Sequence, residues 1–461
     1  MRLCTGVLAD RLRHSCAPVL LCLVHGMPFA CEEPEAKQQR PVRVSGELPI
    51  LTWVNAISSH GKLEARPILM VRGTGPARCD FPSRRSGSAK PHKQRAWGMN
   101  ARPSILTLGD SHAGENLRNL HDAASRSVLA QRVASLSGGE VIERNGPPRA
   151  GSFLIPDDTL SIEDARAWGI ESESQLLGGA VPFAFVATKI VSHGLPFENA
   201  ICPQHWSAGL CVELDEAVLR GYSVFSHADA RIAGRRLLER GPVRLKDVEA
   251  TSGRGQEVVR NVETLDAALD RCDALVLERA GLVLEEDLED VETYSVGVVR
   301  LFGRSIAYWG TQRLTRDNSG QEVYGGSHLR CVRGGWEELE ALNLEPELAQ
   351  VIGKARHYDA AVFAAYPGTI ASRRNYDVAA GRDAQGLRKT GVLEQSWRVG
   401  GASGAEIAAF EAFDADSSLA HAQTATVEIY GEAAGAPNGA TIYFSGIDPA
   451  VGPLTKYAEK R

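Results

Sequence analysis

Lys246 is followed by the turn Thr251-Ser252-Gly253-Arg254-Gly255-Gln256, then by Leu282-Val283-Leu284-Glu285-Glu286, and last by the carboxylates Asp377 and Glu394. An ammonium beside a glycine turn suits a polyphosphate, which needs positive charge and backbone N–H groups at close range. An apolar strand can offer backbone donor and acceptor to a base such as adenine, and an acid at its end, Glu285 or Glu286, can accept from ribose hydroxyls. Two carboxylates across the turn-rich Gly381-Arg382-Asp383-Ala384-Gln385-Gly386 suit magnesium, which keeps phosphate oxygens and water as its other ligands. Arg373, Arg374 and Arg398 flank them and could neutralise phosphate or a substrate carboxylate. Each piece has a plainer reading. Gly-x-Gly between two strands is commonly a hairpin turn, an apolar run can be a core strand, and single charges form surface ion pairs. No Walker A pattern occurs. The run Glu394-Gln395-Ser396-Trp397-Arg398-Val399-Gly400-Gly401 packs an acid, an arginine and paired glycines closely, which points to a tight, charged site.

These residues need elements to hold them, and the chain is long enough for two or three domains with a sizeable core. Its 461 residues are 43% hydrophobic and 23% charged, as in an ordinary soluble protein, and a net charge of −6 gives no general reason to bind nucleic acid or anionic membrane. No apolar run reaches spanning length. Residues 1–98 differ from the rest: they carry Cys4, Cys16, Cys22, Cys31 and Cys79, five of the nine cysteines, with little periodicity. They read as an unstructured extension, or as sequence upstream of a start at Met99. A signal-peptide reading of Ala17–Ala30 is interrupted by His25, Gly26 and Pro28. Cys202, Cys211, Cys272 and Cys331 lack zinc spacing and read as free thiols in a cytoplasmic protein.

The pattern predicts an α/β (α+β) chain. Residues 99–185 form an N-terminal α/β pre-domain, with a strand at Pro103–Leu108, a helix at Ser125–Leu136, a strand at Phe153–Pro156 and a helix at Ile162–Trp168 capped by Ser161. Residues 186–288 hold a small lid. Helix Ala228–Glu239, which carries Ile232, Leu237 and Leu238, precedes strand Val243–Lys246, the glycine turn, strand Glu257–Val259, helix Thr264–Cys272 with Leu265, Ala268 and Leu269 inward, and strand Leu282–Leu284. Alternation puts Arg244 and Lys246 on one face of the first strand. Residues 289–461 form a C-terminal mixed-sheet subdomain: a hairpin turning at Phe302-Gly303-Arg304, a helix at Pro346–Ala365, strand ends at Asp377 and Glu394, and an amphipathic helix Ala405–Phe413 capped by Ser403.

With those residues in view, the chain resembles the ATP-grasp superfamily, whose members mostly join a carboxylate to an amine or similar nucleophile through an acyl-phosphate. Pro242–Lys246 with Gly253-Arg254-Gly255 looks like its lid strand and phosphate loop, and Val283-Leu284-Glu285-Glu286 like its hinge. Asn375-Tyr376-Asp377-Val378 and Leu393-Glu394-Gln395-Ser396 look like its two metal strands, and Lys189 falls where its earlier ATP lysine is expected. More narrowly, YSVG, GTQRLTRDN, SRRNYDVA, LEQSWRVGGASGAE and VGPLTKYA are similar to a bacterial family, domain of unknown function 3182, over about residues 150–457. The resemblance implies ATP and Mg²⁺ as ligands. Lys189, Lys246, Gly253, Arg254, Gly255, Glu285 and Glu286 would hold the nucleotide, and Asp377, Glu394 and Ser396 the metal. Arg313, Arg316 and Arg398 would stabilise transferred phosphate or fix a small carboxylate substrate. The sequence departs from the superfamily at two places: Ser396 stands where asparagine is usual, and Asn375 where arginine is usual.

Two other functions fit parts of the chain. A nucleotide-binding protein of the same fold without turnover is consistent with both departures. Leu106-Thr107-Leu108-Gly109-Asp110-Ser111-His112 looks like the nucleophile block of SGNH-type esterases, but no Asp-x-x-His follows it to complete the triad.

Overall fold

The computed structural model describes residues 103–108, 120–142, 148, 151–250, 255–431 and 435–461, together with the backbone of 52–57 and 63–68. Ser111, Gly253 and Arg254, and with the exception of those two backbone segments the whole of 1–98, lie outside the described residues. Two compact units divide the chain at residue 91. In the first, β1 (Thr52–Ile57) and β2 (Leu63–Ile68) pair antiparallel.

The second unit opens with a small parallel sheet. β3 (Ser104–Leu108) lies between β4 (Glu140–Val141) and β5 (Ser152–Pro156), and α1 (Leu120–Ser137) connects β3 to β4. The short β6 (Leu160–Ser161) precedes α2 (Ile162–Ala167), whose N-cap is Ser161, accepting from the Asp164 N–H at 2.9 Å. After β7 (Gly179–Val181) the chain makes two 3₁₀ turns, Ala184–Ala187 and Lys189–Ser192, where the sequence allowed a strand.

The lid is an antiparallel sheet. α3 (Ala208–Leu214) leads to β8 (Gly221–Val224), a strand the sequence pattern did not reveal. α4 (His227–Leu238), β9 (Val243–Asp247), β10 (Gln256–Val259), α5 (Val262–Asp270), α6 (Ala274–Ala280) and β11 (Leu282–Glu286) follow, with sheet order β10-β9-β11-β8. Val243, Leu245, Leu282 and Leu284 bury one face against Ala230, Ala233 and Leu237 of α4 and Leu265, Ala268 and Leu269 of α5. Ile232 is exposed, and the stripe Ala230-Ala233-Gly234-Leu237 is the one at helical spacing that is buried. Gly234 makes the approach possible, since a Cβ there would lie 2.5 Å from the Leu265 side chain.

An eight-stranded sheet forms the rest. β12 (Glu289–Leu301), β13 (Arg304–Arg316), β14 (Glu322–Arg333), α7 (Trp336–Glu340), α8 (Pro346–Ala365), β15 (Ile370–Ala371), β16 (Arg373–Arg382), β17 (Arg388–Ser396), α9 (Ser403–Ala415), β18 (His421–Tyr430), β19 (Thr441–Asp448) and β20 (Gly452–Lys460) follow in chain order. The order in space is β17-β16-β12-β13-β14-β18-β20-β19, while β15 joins β7 and β6 in a separate small sheet. The large sheet, expected to be mixed, is antiparallel at every pairing between its strands; β12–β13, β13–β14, β16–β17 and β19–β20 join strands consecutive in the chain. Phe302 and Gly303 both take positive φ, 51° and 77°, which matches the right-handed twist of the β12–β13 hairpin. α8 covers one face through Val351, Ile352, Tyr358 and Val362, and α9 and α1 cover part of the other. α9 is buried on nearly every side between the sheet and α1, so the expected amphipathic pattern is not realised. Its N-cap is Ala402, and the Ser403 hydroxyl accepts from the Gly400 N–H at 3.0 Å.

The sheet leaves no room at Gly310, where a Cβ would stand 1.9 Å from the His328 carbonyl oxygen, whereas Gly353 in α8 has nothing within 4 Å of one. Gly310→Ala is expected to cost at least about 1–3 kcal/mol, and Gly353→Ala to add about 0.5–1 kcal/mol. Urea-unfolding midpoints check both, and equal effects would contradict this packing.

Candidate functional site

Asp377 in β16 lies directly opposite Glu394 in β17, and Asn375 directly opposite Ser396. A bulge between Asp377 and Val378 shifts the register there, with two residues of β17 spanning one step of β16. Both acids therefore lie within paired strands, not at strand ends as the sequence suggested. The Asp377 Oδ1 accepts from Asn375 Nδ2 at 3.0 Å and from Ser295 Oγ at 3.4 Å, and Gln312 Nε2 donates to Ser295 Oγ at 3.0 Å. Burial and the facing Glu394 charge push the Asp377 carboxyl up to about 6, although hydrogen bonds from Gln312 and Asn375 and the Arg373 charge act the other way.

Lys189 reaches this pair from the second 3₁₀ turn. Its Nζ lies 2.9 Å from Glu394 Oε2, 2.9 Å from the Ala250 carbonyl and 3.4 Å from the Asp247 carbonyl. Gln395 explains the approach: next to Glu394 in β17, it donates to the carbonyls of Val186 and Thr188 at 2.7 and 2.9 Å and so pins the turn. One ammonium thus joins the carboxylate strands to the end of the lid strand β9.

Lys246 faces the same side of the lid sheet as Val283 and Glu285, as alternation predicted. It is 3% exposed and pairs with Glu285, which is 1% exposed and also meets His193 Nε2 at 3.3 Å. Burial alone would raise the Glu285 carboxyl, but Lys246 and His193 outweigh it and hold the group down at about 2. Glu285 is therefore spent on the lysine, not presented at the end of the hinge strand. Glu286 accepts from the Arg220 N–H at 3.0 Å. Gly255 takes φ 65°, and a Cβ there would lie 2.5 Å from that of Ala250, so the turn needs glycine at this place.

The arginines divide. Arg313 is exposed and occupies the opposite face of the large sheet from Asp377, since its neighbour Gln312 takes the carboxylate side. On that opposite face its charge, with burial and Arg461, lowers the His328 pKa. Arg316 is exposed at the end of β13 and donates to the Gly320 carbonyl of its own turn at 3.0 Å. Neither joins the constellation. Arg373 is 1% exposed and bound to Glu406, and Arg374 is held by Asp359 and Glu173 while lying over the Phe363 ring. Arg398 is half-buried just beyond β17, donates to the Val399 carbonyl at 3.2 Å and lies 3.8 Å from Asp158. It is the one sequence-selected arginine near the carboxylate strands that is loosely held.

Comparison with known proteins gives a family. The model of the family described as "Protein of unknown function (DUF3182)" matches residues 110–458. The chain belongs to this family. No curated protein matches the sequence. Among solved structures, N5-carboxyaminoimidazole synthetase from Staphylococcus aureus complexed with ADP is 12% identical, with a TM-score of 0.45 over 78% of this chain and 93% of that one. A biotin carboxylase complex from Campylobacter jejuni is 11% identical, TM-score 0.45, over 78% and 87%. D-alanyl-alanine synthetase A from Vibrio cholerae is 14% identical, TM-score 0.41, over 64% and 88%. Likeness at this level carries no argument about what this chain does.

The donor chemistry tests the ligands that the motifs imply. Among the described residues no three His, Cys, Asp or Glu side chains gather into a metal cage. Two carboxylates fit magnesium, which takes one or two from the protein and completes its shell with phosphate and water. A cavity of about 500 Å³ lined by Tyr294, Trp309, His328 and Arg330 lies on the other face of the sheet, away from these acids. No helix among the described residues is long and apolar enough to cross a membrane, and Cys202, Cys211, Cys272 and Cys331 are free.

Because the folded protein holds the Asp377 proton more tightly than the unfolded chain, whose value is near 3.8, the metal-free fold loses stability as pH rises from there through about 6. Asp377→Asn should raise the melting temperature in chelator at pH 7.5 by several degrees, with the gain fading to nothing near pH 4. Thermal scans across this range check it; a gap that does not change with pH would contradict the raised value.

Proposed function

We propose that this chain binds ATP with Mg²⁺ in the manner of the ATP-grasp superfamily and acts as an ATP-dependent ligase of a small carboxylate. The observation that supports this most directly is Lys189, whose ammonium meets Glu394 and the lid carbonyl of Ala250, each at 2.9 Å. It links the end of lid strand β9 to one of the two opposed carboxylates through a single ammonium. Lys189 and Lys246 would hold phosphate, exchanging Glu394 and Glu285 for a polyanion of higher charge. Asp377 and Glu394 would carry the cation, with Ser396 beside them. Gly255 would let the backbone of the turn come close, together with Gly253 and Arg254 beyond the described residues.

MgATP, if bound, would supply a phosphoryl group to the substrate carboxylate with ADP as leaving group, and an amine or similar nucleophile would then attack the activated acyl carbon and release inorganic phosphate. Arg398, loosely held beside the carboxylate strands, is the side chain best placed to meet the transferred phosphate or the acid. Arg373 and Arg374 are already neutralised by Glu406, Asp359 and Glu173. Asn375 adds no positive charge where the superfamily has arginine. Those two observations favour a second reading, nucleotide binding without turnover. Phosphate release with a panel of carboxylic acids separates the two.

ADP with Mg²⁺ should raise the melting temperature, since a ligand at a hundred times its dissociation constant adds about 2.7 kcal/mol of apparent stability. Asp377→Ala should remove the magnesium-dependent part of the shift and leave a smaller shift with nucleotide alone. No response to ATP or ADP, with or without Mg²⁺, would overturn the proposal.

A further inference from the structure

Asp377 ends a buried chain of polar contacts that reaches helix α9. Arg373 Nε donates to Glu406 Oε2 at 2.7 Å, and the Tyr308 hydroxyl lies 2.6 Å from Glu406 Oε1 and 2.9 Å from Asn375 Oδ1. Asn375 Nδ2 then donates to Asp377 Oδ1 at 3.0 Å. Arg373, Glu406, Tyr308 and Asn375 are all buried. Resting on the reading of Asp377 as a cation ligand, we propose that Tyr308 and Glu406 are positioning residues for that site. They fix the Asn375 carboxamide with its NH₂ group toward Asp377 and so set the plane of the carboxylate.

The two ends of a carboxamide have nearly the same shape and opposite hydrogen-bonding character, so its orientation is decided by its neighbours. Tyr308 provides the donor that holds the Asn375 oxygen away from Asp377. With that donor gone, the contact to Asp377 alone holds the carboxamide, and the carboxylate loses the fixed donor that sets its plane. The Tyr308 hydroxyl has one proton within reach of two acceptors, Glu406 Oε1 and the Asn375 oxygen, and the Arg373 charge on Glu406 weakens the carboxylate's claim so that the proton is shared with Asn375. Glu406 stands in the first turn of α9, where a negative charge is favoured by the helix dipole. Arg373 holds Glu406 in turn, and also donates to the carbonyls of Ser396 and Arg398 at 3.1 and 2.5 Å. The same ion pair therefore steadies both sides of the site: Asp377 by way of Asn375, and the loop after β17 directly. Outer partners of this kind typically change metal affinity about 10–100-fold when removed.

Tyr308→Phe keeps the ring and the Arg373–Glu406 pair and removes only the hydroxyl. Mn²⁺ binding followed by electron paramagnetic resonance at saturating ADP, beside ADP binding in chelator, separates positioning from a general structural role. The expected result is Mn²⁺ affinity weaker by about 10–100-fold with metal-free ADP affinity unchanged. Loss of both affinities, or of neither, would overturn the proposal while leaving the cation reading intact. A wild-type protein that binds ADP and no Mn²⁺ would overturn the cation reading, and this proposal with it. Should Tyr308→Phe not fold, Asn375→Ala carries the same expectation, because it leaves Tyr308, Glu406 and Arg373 in place.

Discussion

Two carboxylates placed directly opposite each other on paired strands repel, and the architecture around β16 and β17 is arranged to hold them there. Unit charges about 5 Å apart at the effective dielectric of a protein repel by roughly 3 kcal/mol, and like charges across a strand pair are ordinarily avoided. Here Lys189 neutralises one member and hydrogen bonds from Asn375 and Ser295 support the other. The bulge at Asp377 is part of the same arrangement, since it releases the local register without ending the strand pairing. What remains uncompensated shows as the raised Asp377 pKa.

Lysine, not arginine, is suited to the joint between lid and sheet. An ammonium has three donors and no fixed plane, and Lys189 directs them to Glu394 and to the carbonyls of Ala250 and Asp247. Two of those partners belong to the lid, so the contact depends on where the lid lies. Lys246 is held differently, buried against Glu285 across the two central strands of the lid sheet, with His193 on the other carboxylate oxygen. Breaking a buried pair by removing one partner leaves an unpaired charge and is costly. On the proposed reading, a polyanion that took over these ammoniums would have to leave neither Glu394 nor Glu285 unpaired, which a phosphate bound together with a cation would allow.

Local patterns were legible in the sequence, while contacts across strands were not. Alternation along Val243–Lys246 placed Lys246 correctly because strand geometry is decided by neighbours in sequence. The Ser161 cap and helix α8 were read for the same reason. Gln312 and Arg313 show the limit: they are adjacent, so one must face the carboxylates and the other must not. Charge favoured Arg313, and only the register of β13 on β12 decides for Gln312. Glu285 looked free at the end of an apolar strand because its partner Lys246 is on a neighbouring strand. The strand β8 and the final strands β18, β19 and β20 carried no sharp alternation, since glycine, serine and mixed burial along them blur the period.

Asn375 shows how a departure in sequence is absorbed in space. Arg373, Asn375 and Asp377 project from the same face of β16, two residues apart. An arginine at 375 would set its charge beside Asp377. In this chain the guanidinium stands one step further along, at 373, and is neutralised there by Glu406. The carboxamide that replaces it can donate to Asp377 but cannot cancel its charge, so the neutralisation of the pair falls to Lys189. Ser396 stands directly across from Asn375, so the one carboxamide of this strand pair is on β16 and the shorter hydroxyl on β17. The two substitutions are thus facing members of one strand pair, and their effect on the site is a joint property of that pair.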